Sequence, residues 1–435
     1  MRLAALLVAT GLLAGCERPG GPVPSSAATS AGLTPAASAP HPAAEPATAP
    51  DAATPGTTAS PRAVDTERLA RLVSDAKALG SDALVVSQRG TVLASEWWSA
   101  ERGPIQTMSV TKSVLALVVG CAIEQGLLGL RDPVARFFPI WEGSDKASIT
   151  VEHLLTHTSG LDEGKNTAQI YAARSFVDQA LASPLVSPAG KEFLYGNRAS
   201  NLLSGVLAKA AGKPTDRYAD ECLFRPLGIT RWSWSRDRAG NAHGLAGLHL
   251  LPEDLHKLGT LVLHDGRYDG KRVLDAAWVR KVSAEPALSP PHKPASHLWW
   301  LLPAWTKRTV DEQLTASWRA AGVDGAFVAR AAGVMGSYDT AIGLTEAWQR
   351  ALGDPTLKAL DDELYSRKLR DARYEHGPTV GSYAHGSLGQ FLVIVPAQGV
   401  VAVRMRRSPK STVERKDIAR AFPDFPQRVA SLIAE

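Results

Sequence analysis

Cysteine is scarce in this chain of 435 residues, which has three, at positions 16, 121 and 222. Three cysteines are too few for a disulfide scaffold. Cys121 lies in an apolar segment, where a thiol usually serves as a small buried hydrophobic group. A bridge between Cys121 and Cys222 is permitted in an oxidising compartment, and the sequence leaves that question open.

Strong charge and nucleic-acid motifs are also missing. The net charge of +5 is modest for this length. The basic-rich stretch from Arg404 to Lys416 has no aromatic residues on which bases would stack. We therefore interpret it as a solvated surface and expect no nucleic-acid partner.

The apolar run near the N-terminus, Leu3 to Leu13, is too short to span a bilayer comfortably. Arg2 before it and the small residues after it are typical of a secretory signal, which we place at residues 1–16. The end of this segment resembles the bacterial lipobox, which implies cleavage before Cys16 and a lipid on its thiol. Glu17 in place of Asp then favours the outer membrane of the cell envelope. An ordinary secretory signal with an incidental cysteine is the alternative.

Residues 17–63 are rich in Ala, Pro, Ser, Thr and Gly and have few large apolar residues. Such a segment cannot bury enough surface to offset the entropy of ordering. We expect a disordered tether between the lipid and a folded domain over residues 64–435.

The folded domain has strand patterns at both ends and helical patterns between them. Two hairpins are predicted, one from residues 83–87 and 91–95 and one from residues 390–395 and 400–405. We expect the terminal strands to join one antiparallel sheet, which makes the domain α+β. Helices are predicted at residues 66–79, 151–155, 176–182, 201–211, 250–264, 276–282 and 426–434.

Residues 304–380 differ in composition, being charged and rich in alanine, and their helix-like runs cover residues 310–321 and 356–374. A connection of this length usually has a function or a structure of its own. It joins the strand of Trp299 to the segment of His385. A roof over the active site and a distant surface addition are both open interpretations.

Ser109 and Lys112 stand at the start of an unusually apolar helix pattern that runs to Ile123. A spacing of three places both side chains on one helix face, as a Ser-Lys nucleophile requires. The pattern is short, and it recurs at Ser74 and Lys77 on a solvated helix. Other segments must therefore decide its significance.

Two further segments carry suitable groups. Tyr195 and Asn197 lie in a loop, where a phenol can relay a proton and an amide can hold a carbonyl group. The segment that begins His385-Gly386-Ser387-Leu388 leads directly into a strand, and its small residues allow close approach to a substrate.

These elements, in this order, resemble the serine β-lactamase and penicillin-binding protein superfamily. The similarity is greatest to the branch with class C β-lactamases, family VIII esterases and 6-aminohexanoate-dimer hydrolases. The segments Gly126–Val134 and His153–Leu161 are also similar to motifs of that branch. The resemblance covers about residues 66–303 and 380–435. It implies a β-lactamase/transpeptidase-like fold, with an antiparallel sheet flanked by helices and an all-helical subdomain.

The resemblance also implies roles. Ser109 is expected to be the acylated nucleophile, Lys112 its proton acceptor and Tyr195 the proton relay. Asn197, His385, Gly386 and Ser387 are expected to contact the substrate. The backbone N–H groups of Ser109 and Leu388 are expected to form the oxyanion hole.

His385 stands where the superfamily has the Lys of a Lys-Thr-Gly motif. Because histidine is largely neutral at pH 7, this favours hydrolysis of an ester or amide over that of a β-lactam. We expect a serine hydrolase without cofactor, acting on a small ester, amide or peptide. The alternatives are β-lactamase or D-Ala-D-Ala carboxypeptidase activity, and a lipoprotein that binds cell-wall peptides without catalysis.

Two other patterns are rejected. His153 and His157 have a zinc-like spacing, but no Glu follows His153 and no third ligand is evident, so no metal is expected. Ser387 lies in a near match to Gly-x-Ser-x-Gly, but a strand follows it where a nucleophile elbow needs a helix.

Overall fold

The computed structural model describes residues 63–164, 167–408 and 421–433, and all of these belong to one compact unit. The signal segment, Cys16 and the tether, apart from its last residue, lie outside the described residues. The strands in chain order are β1 Ala83–Gln88, β2 Thr91–Trp97, β3 Ile105–Gln106, β4 Ser233–Trp234, β5 Leu248–Leu250, β6 Arg267–Tyr268, β7 Lys271–Arg272, β8 Trp300–Pro303, β9 Thr306–Val310, β10 Gly336–Tyr338, β11 Arg373–His376, β12 Thr379–Gly386, β13 Gln390–Val395 and β14 Val400–Met405.

Helices account for most of the remaining regular structure. In chain order they are α1 Thr66–Ala78, α2 Val110–Glu124, α3 Val151–Leu155, α4 Ala168–Ala172, α5 Phe176–Ala182, α6 Asn197–Ala211, α7 Thr215–Ala219, α8 Pro252–Leu263, α9 Ala276–Ala284, α10 Glu312–Ala320, α11 Gly325–Arg330, α12 Ala341–Leu352, α13 Asp354–Ser366 and α14 Phe425–Ala430. In the described part of the chain, no helix has the length and apolar character needed to cross a membrane.

The main sheet has six strands in the order β2-β1-β14-β13-β12-β8. All of its pairings are antiparallel, and β1 of the first hairpin pairs with β14 of the last. The predicted union of the terminal strands in an α+β fold is therefore confirmed. The strands β13 and β14 are buried along their whole length because helices cover both faces of the sheet.

Helix α2 lies at the centre of the larger hydrophobic core, and every residue from Val110 to Ala122 is buried. Its apolar residues point in all directions, as expected for a helix packed on every side. At Gly120 an added Cβ would lie 2.0 Å from Trp278 Cδ1. The indole N–H of Trp278 donates to the carbonyl oxygen of Ala116 at 3.0 Å, which fixes α9 against α2.

Residues 304–380 build a lobe with its own hydrophobic core, in which the rings of Trp318 and Trp348 stack at 5.8 Å. The helix predicted over residues 356–374 was too long, because α13 ends at Ser366 and residues 373–376 form β11. Lys368 has a φ of 58°, which turns the chain out of the helix. Arg373 then forms an ion pair with Asp311 at 2.6 Å, next to the pairing of β11 with β9.

Candidate active site

Ser109 occupies the N-cap position of α2, immediately after Met108, which has a φ of 50°. This conformation costs energy for a residue with a side chain, and such strain is often found at functional sites. The Nζ atom of Lys112 lies 3.2 Å from the Oγ atom of Ser109. The two side chains are therefore within hydrogen-bonding distance at the start of a buried helix.

The amine of Lys112 is almost completely enclosed, since the residue is 2% exposed. It donates a hydrogen bond to the carbonyl oxygen of Leu245 at 2.8 Å. It also lies 5.0 Å from the centre of the Tyr195 ring. The structure thus brings Ser109, Lys112 and Tyr195 together, although Tyr195 is distant in sequence.

The loop of Tyr195 is held on both sides by His157. The N–H of Leu194 donates to the carbonyl oxygen of His157 at 2.7 Å, and the N–H of Gly196 donates to its Nδ1 atom at 3.0 Å. Burial, followed by the charge of Lys112, lowers the pKa of His157 to about 3. The ring is therefore neutral near pH 7, and its Nδ1 is free to accept.

Glu163 lies beside the Tyr195 loop and was not predicted from the sequence. Its carboxylate accepts hydrogen bonds from the N–H groups of Arg198 at 2.5 Å and Ala199 at 3.1 Å, at the start of α6. Burial raises its pKa to about 7, against the opposing effect of these hydrogen bonds. Glu163 thus fixes the first turn of α6, where Asn197 is the first residue. No sequence pattern in its vicinity marks it.

Gly386 is the point where β12 comes closest to Ser109. A Cβ at Gly386 would lie 2.6 Å from the carbonyl oxygen of Thr107 and 2.9 Å from the backbone nitrogen of Ser109. Only glycine fits this approach without displacing backbone. The contact is two residues before Leu388, which lies in the following turn with a φ of 69°.

His385 also faces the site. Burial lowers its pKa well below the usual value, and the charges of Lys293 and Arg404 act in the same direction. Its Nδ1 atom lies 3.4 Å from Nζ of Lys293. Sequence reasoning gave no role to Lys293.

These groups surround a narrow cleft at the start of α2. Four predicted site residues line it, namely Ser109, Lys112, Tyr195 and His385. Asn197 and Ser387 lie outside its lining, and Ser387 is exposed. The cleft is completed by Ser113, His157, Ala295, Ser296, Leu298, Trp299 and Trp300.

The two rejected histidines have other partners. His153 takes part in a capping box with Thr150 at the start of α3, and His157 holds the Tyr195 loop. Among the described residues, no group of three His, Cys, Asp or Glu side chains is placed to hold a metal ion. The second Ser-x-x-Lys pattern lies on α1, where Ser74 and Lys77 are exposed.

Cys121 and Cys222 are free thiols in the structure. They are neighbours, and a hydrogen bond from the Cys121 thiol to Cys222, followed by burial, raises the pKa of Cys121.

Comparison with known proteins identifies the family of the chain. The model of the family described as Beta-lactamase matches residues 67–422. The monacolin J acid methylbutanoyltransferase of Aspergillus terreus is 31% identical over 155 residues, which cover 29% of this chain and 37% of that protein. Esterase EstB of Burkholderia gladioli is 32% identical over 142 residues, which cover 28% of this chain and 36% of that protein.

The fold is shared with solved structures. One is a Bacillus anthracis protein provisionally described as a 6-aminohexanoate-dimer hydrolase, with a TM-score of 0.56 and 15% identity. The match covers 84% of this chain and 83% of that one. By contrast, the chain matches little more than a third of the length of the transferase and the esterase.

Proposed function

The chain belongs to the Beta-lactamase family, and on that premise we propose that it is a serine hydrolase that acts on an ester or amide through a covalent acyl-enzyme. The observation that carries the proposal is the 3.2 Å separation of Lys112 Nζ and Ser109 Oγ at the start of α2. The Tyr195 ring beside the Lys112 amine supports it.

In the proposed acylation, Ser109 Oγ attacks the carbonyl carbon of the substrate and its proton passes to the amine of Lys112, which must be unprotonated at that step to accept it. The carbonyl oxygen becomes an oxyanion. The tetrahedral intermediate then collapses, and the leaving group departs with the proton, which Tyr195 relays. In the second half of the cycle, water attacks the carbonyl carbon of the Ser109 ester and the bond from that carbon to Ser109 Oγ breaks. A proton of the water returns to Oγ, and the acyl group leaves as the carboxylic acid.

The backbone N–H of Ser109 is well placed to stabilise the oxyanion, because the helix dipole of α2 also favours negative charge there. A second donor is expected from the turn after Gly386, at the backbone N–H of Leu388. The close approach of Gly386 to Ser109 supports a donor in this turn. Each such donor contributes roughly 10²–10³ in rate.

Ester and amide substrates are favoured by the similarity to an esterase and an acyltransferase, and by His385 in the place of a lysine. We keep β-lactam or D-Ala-D-Ala hydrolysis as the alternative chemistry. Binding of cell-wall peptides without catalysis is a second alternative. It is less favoured because a binding protein would not require Ser109, Lys112 and Tyr195.

We also propose that the protein is tethered to the bacterial outer membrane through a lipid on Cys16. The lipobox-like segment at residues 13–16 supports this. Detergent partitioning of the wild type, and release of Cys16→Ser into the aqueous phase, would support the anchor. Equal partitioning of the two would contradict it.

A substrate panel tests the proposed activity. Short-chain 4-nitrophenyl esters, linear amides and a chromogenic cephalosporin should be offered to the wild type, Ser109→Ala and Ser74→Ala. We expect turnover of an ester or amide that disappears in Ser109→Ala and persists in Ser74→Ala, the matched serine on α1. Undiminished turnover in Ser109→Ala would overturn the proposal.

A further inference from the structure

Lys293, which is half-buried, places a second amine beside the cleft. It lies in the loop between α9 and β8, and its Nζ atom is 3.7 Å from the centre of the Trp300 ring. It is also 3.4 Å from Nδ1 of His385. Trp300 and His385 both line the cleft. The Lys293 amine therefore packs directly behind two of the side chains that form the cleft wall.

The Lys293 amine has no carboxylate partner among the described residues. Burial is the single cause that lowers its pKa, to about 7, and no negative charge opposes the shift. An amine that packs against aromatic rings away from water is usually paired with an acid. An anionic group that entered the cleft would therefore gain a charge-assisted hydrogen bond.

The lobe of residues 304–380 adds positive charge at the same place. Nε2 of His376 lies 2.6 Å from the carbonyl oxygen of Pro291, and the ring of Tyr374 lies 5.9 Å from that of His292. Partial desolvation of the His292 ring, which belongs to an exposed residue, lowers its pKa, and nearby positive charges add to the effect. These charges belong to Arg370, Lys293, His376 and Arg308.

Carboxyl groups accompany this cationic cluster, since Asp371 and Asp339 both lie near Arg308. Asp371 is half-buried, and its desolvation raises its pKa. It accepts a hydrogen bond from the hydroxyl group of Tyr374 at 2.8 Å. The lobe also reaches the Tyr195 side of the cleft, where Lys368 pairs with Glu192 at 2.7 Å.

We propose that Lys293 is a specificity-determining residue that binds a free carboxylate of the substrate, so that the preferred esters or amides are anionic. The inference rests on the proposed serine hydrolase and adds the class of its substrate. It also changes the inference drawn from His385, which is that the site lacks a positive charge for a substrate carboxylate. In this proposal Lys293, from another loop, supplies that charge. The basic residues of the lobe would attract the same anions toward the cleft.

Matched pairs of chromogenic esters test this inference. Mono-4-nitrophenyl adipate against 4-nitrophenyl hexanoate places the carboxylate in the acyl group. The hexanoate ester of 5-hydroxy-2-nitrobenzoic acid against 4-nitrophenyl hexanoate places it in the leaving group. The variants are Lys293→Met, Lys293→Arg and, as a charge-matched control, Lys358→Met on the exposed surface of α13.

We expect the wild type to prefer one carboxylated ester by about tenfold or more in kcat/KM. Lys293→Met should abolish this preference, Lys293→Arg should largely keep it, and Lys358→Met should leave it unchanged. Equal rates for both members of each pair in the wild type would overturn the inference, as would an equal loss on charged and neutral esters in Lys293→Met.

Failure of the underlying function would have a different outcome, in which neither ester nor a fluorophosphonate reacts with Ser109. If the fluorophosphonate reacts and the esters do not, carboxylate binding is tested by measuring how much adipate slows the labelling of Ser109. Adipate should then slow labelling of the wild type more than that of Lys293→Met, and equal protection would overturn the inference.

Discussion

The ring of His157 lies 4.7 Å from the ring of Tyr195, centre to centre. Together with its two hydrogen bonds to the flanking residues Leu194 and Gly196, this contact makes His157 a positioning residue for the proposed proton relay. A displacement of about 1 Å in a reacting group can cost roughly 10² in rate.

Removal of the His157 acceptor should therefore slow turnover. In His157→Leu we expect kcat for an amide to fall about 10- to 100-fold, and His157→Asn, which keeps an acceptor oxygen, should recover part of it. Labelling by a fluorophosphonate should fall less, because fluoride leaves without a proton from Tyr195. If labelling and amide turnover fell equally in His157→Leu, the residue would have a general structural role only.

His157 should also make the fold sensitive to acid. Its pKa is about 3 in the folded protein and about 6.5 when unfolded, so the folded state resists protonation. The associated stability is complete above about pH 6.5 and is lost as the pH falls toward 3, by about 3 kcal/mol at pH 4. Urea unfolding at pH 7 and pH 4.5 should show a smaller loss in His157→Leu than in the wild type. The exposed His264→Leu should behave like the wild type, and an identical loss in all three proteins would contradict the assignment.

Gly386→Ala should damage the site with little change in the rest of the fold. The new methyl group would meet the backbone of Thr107 and Ser109 at 2.6 and 2.9 Å, so β12 or the start of α2 must move. We expect kcat/KM to fall on the order of 10²–10³, the contribution of one oxyanion donor. Gly325→Ala is the matched control, since its methyl group would have no atom within 4 Å. Equal activity of the two variants would show that the approach of β12 to Ser109 is not needed.

The preference for carboxylated esters should depend on pH. Burial lowers the pKa of Lys293 to about 7, so the amine is charged below that pH and neutral above it. A bound carboxylate favours the charged form, which moves the transition upward. The preference should thus be strong at pH 6 and decline as the pH rises past about 7 to 8.

The neighbours of Lys293 include groups that also titrate or carry charge, namely His385, Tyr383, His292, His376, Arg308 and Arg370. Lys293→Arg separates their effects, because a guanidinium stays charged across this range. The decline should be absent in that variant. A decline of the same size and midpoint in Lys293→Arg would assign it to another group.

Much of the site followed from local sequence. Ser109 and Lys112 are three residues apart on one helix, so their contact depends on helix geometry alone. The hairpin strands at residues 390–395 and 400–405 have the predicted bounds because all of their residues except Gln390 and Arg404 are apolar. Arg404 is buried, contrary to the predicted solvated surface, and donates to Ser81 Oγ at 2.7 Å. The placement of Tyr195 came from the resemblance, since nothing local fixes a loop against α2.

Other parts could not be predicted, because they depend on contacts between distant segments. Lys293 and His385 are 92 positions apart, and the proline-rich loop around Lys293 has no periodicity that indicates burial. Glu163 gains its role only from its contact with the start of α6, which lies 35 positions further along the chain. The end of α13 at Ser366 depends on the pairing of β11 with β9, which the charged, alanine-rich sequence does not show.

The central claim is that Ser109 becomes covalently acylated with Lys112 as its base. The most direct measurement is peptide mass spectrometry of the protein after reaction with a fluorophosphonate, with Ser109→Ala and Lys112→Ala examined beside Ser74→Ala and Lys77→Ala. We predict one adduct, on the peptide that contains Ser109. It should be absent in Ser109→Ala, formed roughly 10²–10⁴ more slowly in Lys112→Ala, and unchanged in the two α1 variants. An adduct on another residue, or labelling at the wild-type rate in Lys112→Ala, would contradict the account.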